Sequence, residues 1–277
     1  MSSVAMIFPI RRSRAATRLP SIGGRMARAL VDLTGLAVLL ALWALGGWLI
    51  ARNPATVAFA GFAPEPALRR LYEMVADGSA LAAASPSLGR IAGGLAIAFM
   101  LGAPIGVLVG RSALFRRATH LPFQLLRMVS PLAWMPLAIL AFPTWNGAII
   151  FLIFAASIWP IIFSTAHGLR KLDPDWFRLA NNLGASRLHI LLAVVLPAAA
   201  QDVLTGLRLA LGVAWIVLVP AEYLGVTSGL GYAINDARDT LDYSRLAATV
   251  ILIGLIGSFL DALILAAITR VSWTHED

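Results

Sequence analysis

The feature that most constrains this chain is the spacing of its charges. Met128 to Ala166 runs 39 residues without Asp, Glu, Lys or Arg, and shorter charge-free runs cover Leu33–Ala51 and Ile91–Gly110. A bilayer core needs about 20 apolar residues per crossing helix. The composition agrees: 59% of the 277 residues are apolar and 13% charged, against about 45–50% and about 25% in a soluble domain. A soluble enzyme is therefore excluded as the default. With no cysteine, disulfides, thiolate nucleophiles and Cys-ligated metals are excluded as well.

Six spans are expected. Two are Leu33–Ala51 and Ile91–Gly110. Met128–Ala166 holds two more, broken at Pro143-Thr144-Trp145-Asn146-Gly147, a turn-type cluster. The last two are Leu207–Leu224 and Leu246–Ile268. Ile190–Leu196 is apolar but meets Pro197, so it reads as a short boundary segment. Lys and Arg sort unevenly between the flanks: 15 on the side of the termini, including Arg11, Arg116, Arg127 and Arg170, and six on the other. The positive-inside rule then puts both termini in the cytoplasm, as an even count requires. The net charge of +8 thus reports topology rather than nucleic acid. Residues 1–28 read as a basic cytoplasmic arm at the headgroups, and 29–277 as the membrane domain. Arg11-Arg12 is too far from an apolar run to act as a targeting signal.

Two outer segments are expected, 52–89 and 225–245. In the first, Leu68, Leu71, Tyr72 and Val75 give one apolar helical face, suited to packing on the spans or to an external partner. The inner segment 170–197 is the more informative. Asp173 or Asp175 can cap a helix starting near Pro174, with Trp176, Leu179, Ala180 and Leu183 on one face. Gly184 ends it, and Ser186 starts a second helix back to the membrane. The product is a rigid elbow able to pass force to a cytoplasmic protein.

At this elbow the chain resembles a known family. Gly184, nine residues and then Val194-x-Leu196-Pro197 is similar to the cytoplasmic loop signature of ABC-importer permeases, Glu-Ala-Ala, three residues, Gly, nine residues, Ile-x-Leu-Pro. The first part departs from it, because Arg178-Leu179-Ala180 stands where the family has Glu-Ala-Ala. Ser87-Leu88-Gly89-Arg90, Arg127 to Leu137, Thr205 to Trp215 with Ala221-Glu222, and Ser228 to Ala237 resemble the nitrate/sulfonate/taurine group. The resemblance implies an all-α, six-helix type I permease in a bacterial inner membrane. It also implies two cytoplasmic ATPases carrying ATP and Mg, a second permease copy in a homodimer, and a periplasmic solute-binding protein. The elbow residues Trp176, Arg178, Leu179, Ala180, Leu183, Gly184, Ala185 and Ser186 would dock in the ATPase. The solute would be a small anion such as nitrate, taurine or an alkanesulfonate; bicarbonate or a thiamine precursor is the alternative.

The chain itself is expected to bind no cofactor and catalyse no reaction. It has no Walker loop, and His120, His167, His189 and His275 show no metal-ligand spacing. Charge inside spans marks functional candidates. Arg208, Trp215 and Glu222 recur every seven residues on span five, and Arg127, Ser130 and Trp134 share a face at the start of span three. These two faces are expected to meet at the solute pathway, with Trp159 as a further lining candidate. A self-sufficient secondary transporter or channel is the competing class; it would need several mid-membrane acids or histidines for ion coupling, and Asp261 alone lies well inside a span.

Overall fold

A computed structural model describes residues 22–271, and within them every regular element is helical. The helices are α1 (Ile22–Arg52), α2 (Pro64–Ala76), α3 (Ser79–Arg111), α4 (Ala113–Met128), α5 (Met135–Ala141), α6 (Trp145–Arg170), α7 (Pro174–Asn182), α8 (Arg187–Ile190), α9 (Leu196–Gly225), α10 (Leu230–Asp239) and α11 (Tyr243–Val271). Of the arm expected over 1–28, residues 1–21 lie outside the described residues, as does His275; residues 22–28 begin α1.

Five helices are long and apolar enough to span: Leu33–Arg52, Ser79–Arg111, Trp145–Arg170, Leu192–Gly225 and Tyr243–Arg270. One further crossing, the third in chain order, is broken. Ala113–Met128 and Pro131–Ala141 pass the same test only together, and they meet at 86°. The straight third span expected from Met128 onward is thus corrected to an amphipathic helix, a corner and a short helix. Val129 (ψ 126°) and Ser130 (ψ 129°) are extended, Ser130 because Pro131 disfavours helical backbone in the residue before it. The break expected at Pro143–Gly147 falls where the structure has one, between α5 and α6.

A second correction concerns Ile190–Leu196. It is the beginning of the fifth crossing, not a separate boundary segment. Leu191–Val195 forms a π turn that runs directly into α9. The wider turn lets Pro197 sit in a continuous helix, where an α-helical path would drive its ring against an earlier carbonyl.

The core of the bundle is α6, packed between α3 and α9. Along α3, Gly94 lies against Ile153, Gly102 against Ile158 and Ile161, Gly106 against Ile162 and Thr165, and Gly110 against Ala166. Both numbers rise together, so α3 and α6 run parallel. With Ala98, these residues form a small-residue row at every fourth position, the pattern that lets membrane helices approach closely. A Cβ on Gly106 would stand 2.7 Å from Thr165 Cβ. Against α9 the register is antiparallel: Gly206 meets Ser164, Gly168 meets Asp202, and Ser157 Oγ donates to Ala210 O at 3.2 Å. Ile149, Leu152, Ile153, Ile161, Ile162 and Leu218 are fully buried in this three-helix seam.

The parallel pairing of α3 and α6 settles the number of crossings. The end of α3 and the start of α6 lie at opposite ends of the bundle, so residues 112–144 must return across it. α11 covers α9 in antiparallel fashion, Trp215 lying against Gly257 and Arg208 against Asp261. α1 stands to the side, where Trp43 Nε1 donates to Phe62 O at 2.8 Å and Gly47 abuts Ala63. The end opposite the elbow is closed by α2, α10 and the start of α11. There Arg70 reaches Asp242 at 3.6 Å and Arg245 reaches Asp236 at 2.6 Å.

Candidate functional sites: the elbow and the polar residues of the bundle

The elbow is built by local backbone chemistry. Asp173 Oδ1 accepts from Asp175 N at 2.9 Å, capping α7 with Pro174 at its first position. Gly184 closes the helix at φ +76°, a conformation that glycine adopts without steric cost. Ala185 N then donates to Ala180 O at 3.0 Å, the six-to-one bond of a Schellman end. Ser186 Oγ accepts from His189 N at 3.2 Å and caps α8. The corner is therefore fixed at each of its three joints.

All eight elbow residues named from the sequence lie on this one piece of structure. Trp176, Leu179 and Leu183 are 50%, 61% and 78% exposed. With Ala180, Val194, Pro197 and Ala198 they line a groove of about 750 Å³ between α7 and the start of α9. Arg178 leans back to Asp175 at 2.8 Å on the exposed surface. The corner presents an apolar face outside the bundle and joins directly to the helix that crosses it.

The polar residues expected on a pathway are distributed otherwise. Arg127, Ser130 and Trp134 do not share a helical face, because the corner at Val129–Ser130 separates them. Arg127 ends α4 with its guanidinium over Phe163, 5.2 Å from the ring centroid. Trp134 packs with Leu132 on the core formed by Ile149, Leu152 and Leu218, and Trp215 abuts the same cluster. Trp159 lies edge-on to Phe123, 5.5 Å away, in the contact between α4 and α6. Arg208 makes a two-pronged bond to Asp261, Nε to Oδ1 and Nη2 to Oδ2, both 2.6 Å.

Glu222 is fully buried in a network that sequence reasoning missed. Ser87 Oγ lies 2.9 Å from both of its oxygens, Arg90 Nη1 donates at 2.5 Å, and Gly231 N donates at 2.9 Å. Arg90 uses its remaining donors on Asn146 Oδ1, Ser228 O and Ser228 Oγ at 2.7–2.9 Å. Ser87 accepts from Leu230 N at 2.8 Å. The side chains come from α3, the first turn of α6, α9 and the loop before α10. Two cues were present: Ser87 and Arg90 sit one turn apart, and Arg90 and Glu222 are opposite charges at the same end of two spans. An Arg counted only for topology conceals such a pairing.

Comparison with known proteins follows from this architecture. Residues 102–273 match the family described as binding-protein-dependent transport system inner membrane component. The nitrate import permease protein NrtB of Leptolyngbya laminosa is 40% identical over 67% of this chain and 66% of its own length. The bicarbonate transport system permease protein CmpB of Synechococcus elongatus is 40% identical over 63% of each. The chain thus aligns with slightly under two thirds of the length of these relatives. A probable ABC transporter permease protein of Brucella abortus is 32% identical over 88% of this chain and 98% of its own. Among solved structures, an inward-facing MetNI methionine ABC transporter shares the fold, with TM-score 0.57 and 15% identity over 68% of this chain and 93% of that one. A broken third crossing, a capped elbow entering a spanning helix, and a family match over most of the chain agree: this protein belongs to the inner-membrane components of binding-protein-dependent transport systems, the permeases of ABC importers.

Proposed function

We propose that this chain is the membrane-spanning subunit of an ATP-driven importer that passes a small anion, nitrate or bicarbonate in type, into the bacterial cytoplasm. The observation that carries the reading is the elbow. A corner fixed at three joints, with Trp176, Leu179 and Leu183 exposed, suits a docking element for a cytoplasmic ATPase, which supplies the energy with its own ATP and Mg. Two such permeases pair around the pathway, and a periplasmic binding protein delivers the solute. The substrate class draws on the nitrate and bicarbonate permeases among the relatives. Selectivity on this reading rests with the binding protein, since the buried Glu222 is committed to Arg90 and the half-exposed Arg208 to Asp261.

Co-purification tests the proposal. The chain should bring down an ATPase subunit in equal amount, and deleting Gly184 to Ser186 should release it while the membrane chain stays folded. Uptake catalysed by the purified chain alone, without ATPase, would overturn it.

A further inference from the structure

On the elbow side, α4, α6 and α9 enclose a cleft of about 600 Å³. Its wall carries Arg116, His120 and Arg127 from α4, His167 and Arg170 from α6, and Asp202 from α9. Arg116, His120 and Arg127 fall on one stripe of α4 because they are spaced by four and then seven residues. The opposite stripe, with Leu114, Leu121 and Leu125, is 80%, 63% and 62% exposed. The cleft extends along about 16 Å of helix between Arg116 and Arg127, and Phe123 and Phe163 supply its apolar walls.

These cations share one concave wall and lack counter-charges. At the opposite end of the bundle Arg69, Arg70, Arg90, Arg238 and Arg245 each pair with a carboxylate, and Arg52 rests on the ring of Trp48. Among the described residues none of Arg116, Arg127 and Arg170 forms an ion pair. Arg116 makes a long 3.4 Å bond to Val109 O, and Arg127 rests on a ring. Asp202 is the one carboxylate on the wall, and Lys171 lies 3.9 Å from it. Three guanidinium groups therefore share a concave, partly apolar space with a single acid that already has a cation beside it. Planar guanidinium forks match planar oxyanions with two hydrogen bonds at a time.

We propose that this cleft binds an oxyanion presented from the elbow side, Arg116, Arg127 and Arg170 supplying the charge and Asp202 limiting the affinity. Two sources share the chemistry: a free small anion, which on the importer reading above is the solute accumulated after import, and the phosphate of an anionic lipid. Bound free anion would occupy the exit side of the permease and slow further uptake as the solute accumulates.

The test uses the full chain in phosphatidylcholine nanodiscs, with nitrate, bicarbonate and inorganic phosphate each titrated against chloride at equal ionic strength. Thermal unfolding should shift upward by about 2–3 °C when the anion reaches roughly ten times its dissociation constant. Arg127→Gln and the pair Arg116→Gln/Arg170→Gln should lose the shift. Asp202→Asn should move half-saturation to several-fold lower anion, a change of opposite sign that loss of packing would not produce. Discs containing phosphatidylglycerol separate the sources: stabilisation by that lipid alone, lost in the arginine variants, assigns the cleft to a lipid phosphate. No shift with any oxyanion or with the lipid would overturn the proposal, as would shifts unchanged in both Arg127→Gln and Asp202→Asn. This measurement involves no ATPase, so its failure is separable from failure of the importer reading.

Discussion

Arg90 and Glu222 show how much one pair of residues can hold in an apolar chain. Each is almost wholly buried, and their network joins four segments that are distant in sequence. Removing one member strands the other, a loss of about 3–5 kcal/mol for a broken buried pair. Arg90→Met should therefore lower the unfolding temperature of the purified chain sharply. Arg90→Met/Glu222→Met should recover part of the loss, since no uncompensated charge remains. If the double variant proves as unstable as the sum of the singles, the pair is not what stabilises this end of the bundle. Gly184 is the corresponding single-residue control at the elbow. An L side chain at φ +76° costs about 1–2 kcal/mol, which Asn, tolerant of that conformation, reduces. Gly184→Val should weaken ATPase co-purification, and Gly184→Asn should restore most of it. The sequence showed Gly184 as a helix stop because glycine before a capping serine is a local signal. Glu222 read as a pathway candidate because its partner lies 132 residues away, beyond any local pattern.

Elements were legible where their cause was local. Long charge-free runs became helices, the Pro143–Gly147 break was found, and the elbow followed from caps. The bend before α5 was missed although Ser130-Pro131 lay in view, because hydropathy alone counts residues and ignores backbone direction. The row Gly94, Ala98, Gly102, Gly106 and Gly110 was also legible in principle. It has the four-residue period of a helix contact, but reads as mere apolarity until α6 is placed against it. The row sets how close α3 comes to α6, so Gly106→Leu should separate the helices and leave the chain poorly folded in detergent, with Gly35→Leu, where nothing lies within 4 Å, as the benign control. The start of α11 is set by a cap of another kind. Asp242 Oδ1 accepts from Arg245 N at 2.9 Å and from Ser244 Oγ at 2.7 Å. Burial alone would raise this carboxyl, but those bonds, with Arg70 and Arg245 nearby, outweigh it and hold it below the usual value. A lowered folded-state value means that the cap stabilises the chain fully above the ordinary carboxylate range. The contribution fades as pH falls through that range and below it. Asp242→Ala should cost about 1 kcal/mol at neutral pH, and the difference from wild type should shrink on acidification.

At the scale of the whole molecule, the helix count and the charge bias are separate constraints on one topology. The parallel pairing of α3 with α6 requires that the broken α4–α5 segment cross, so six crossings bring the last helix back to the end where the first began. The elbow then shares a side with both helix termini, the side to which the sequence assigns 15 of its 22 basic residues. On the positive-inside rule we propose that side as the cytoplasmic one, and the chain is unusually convenient for checking it. With no native cysteine among its 277 residues, a single introduced thiol gives the chain one labelling position. Val75, on the exposed face of α2 at the end opposite the elbow, and Leu183, at the exposed corner, are 62% and 78% exposed. Val75→Cys should react with a membrane-impermeant maleimide in intact spheroplasts, whereas Leu183→Cys should react only in inverted vesicles. Leu183→Cys should also lose reactivity when the ATPase is bound, since the same surface would be covered. The reverse labelling pattern would invert the molecule and place the elbow out of reach of any cytoplasmic motor.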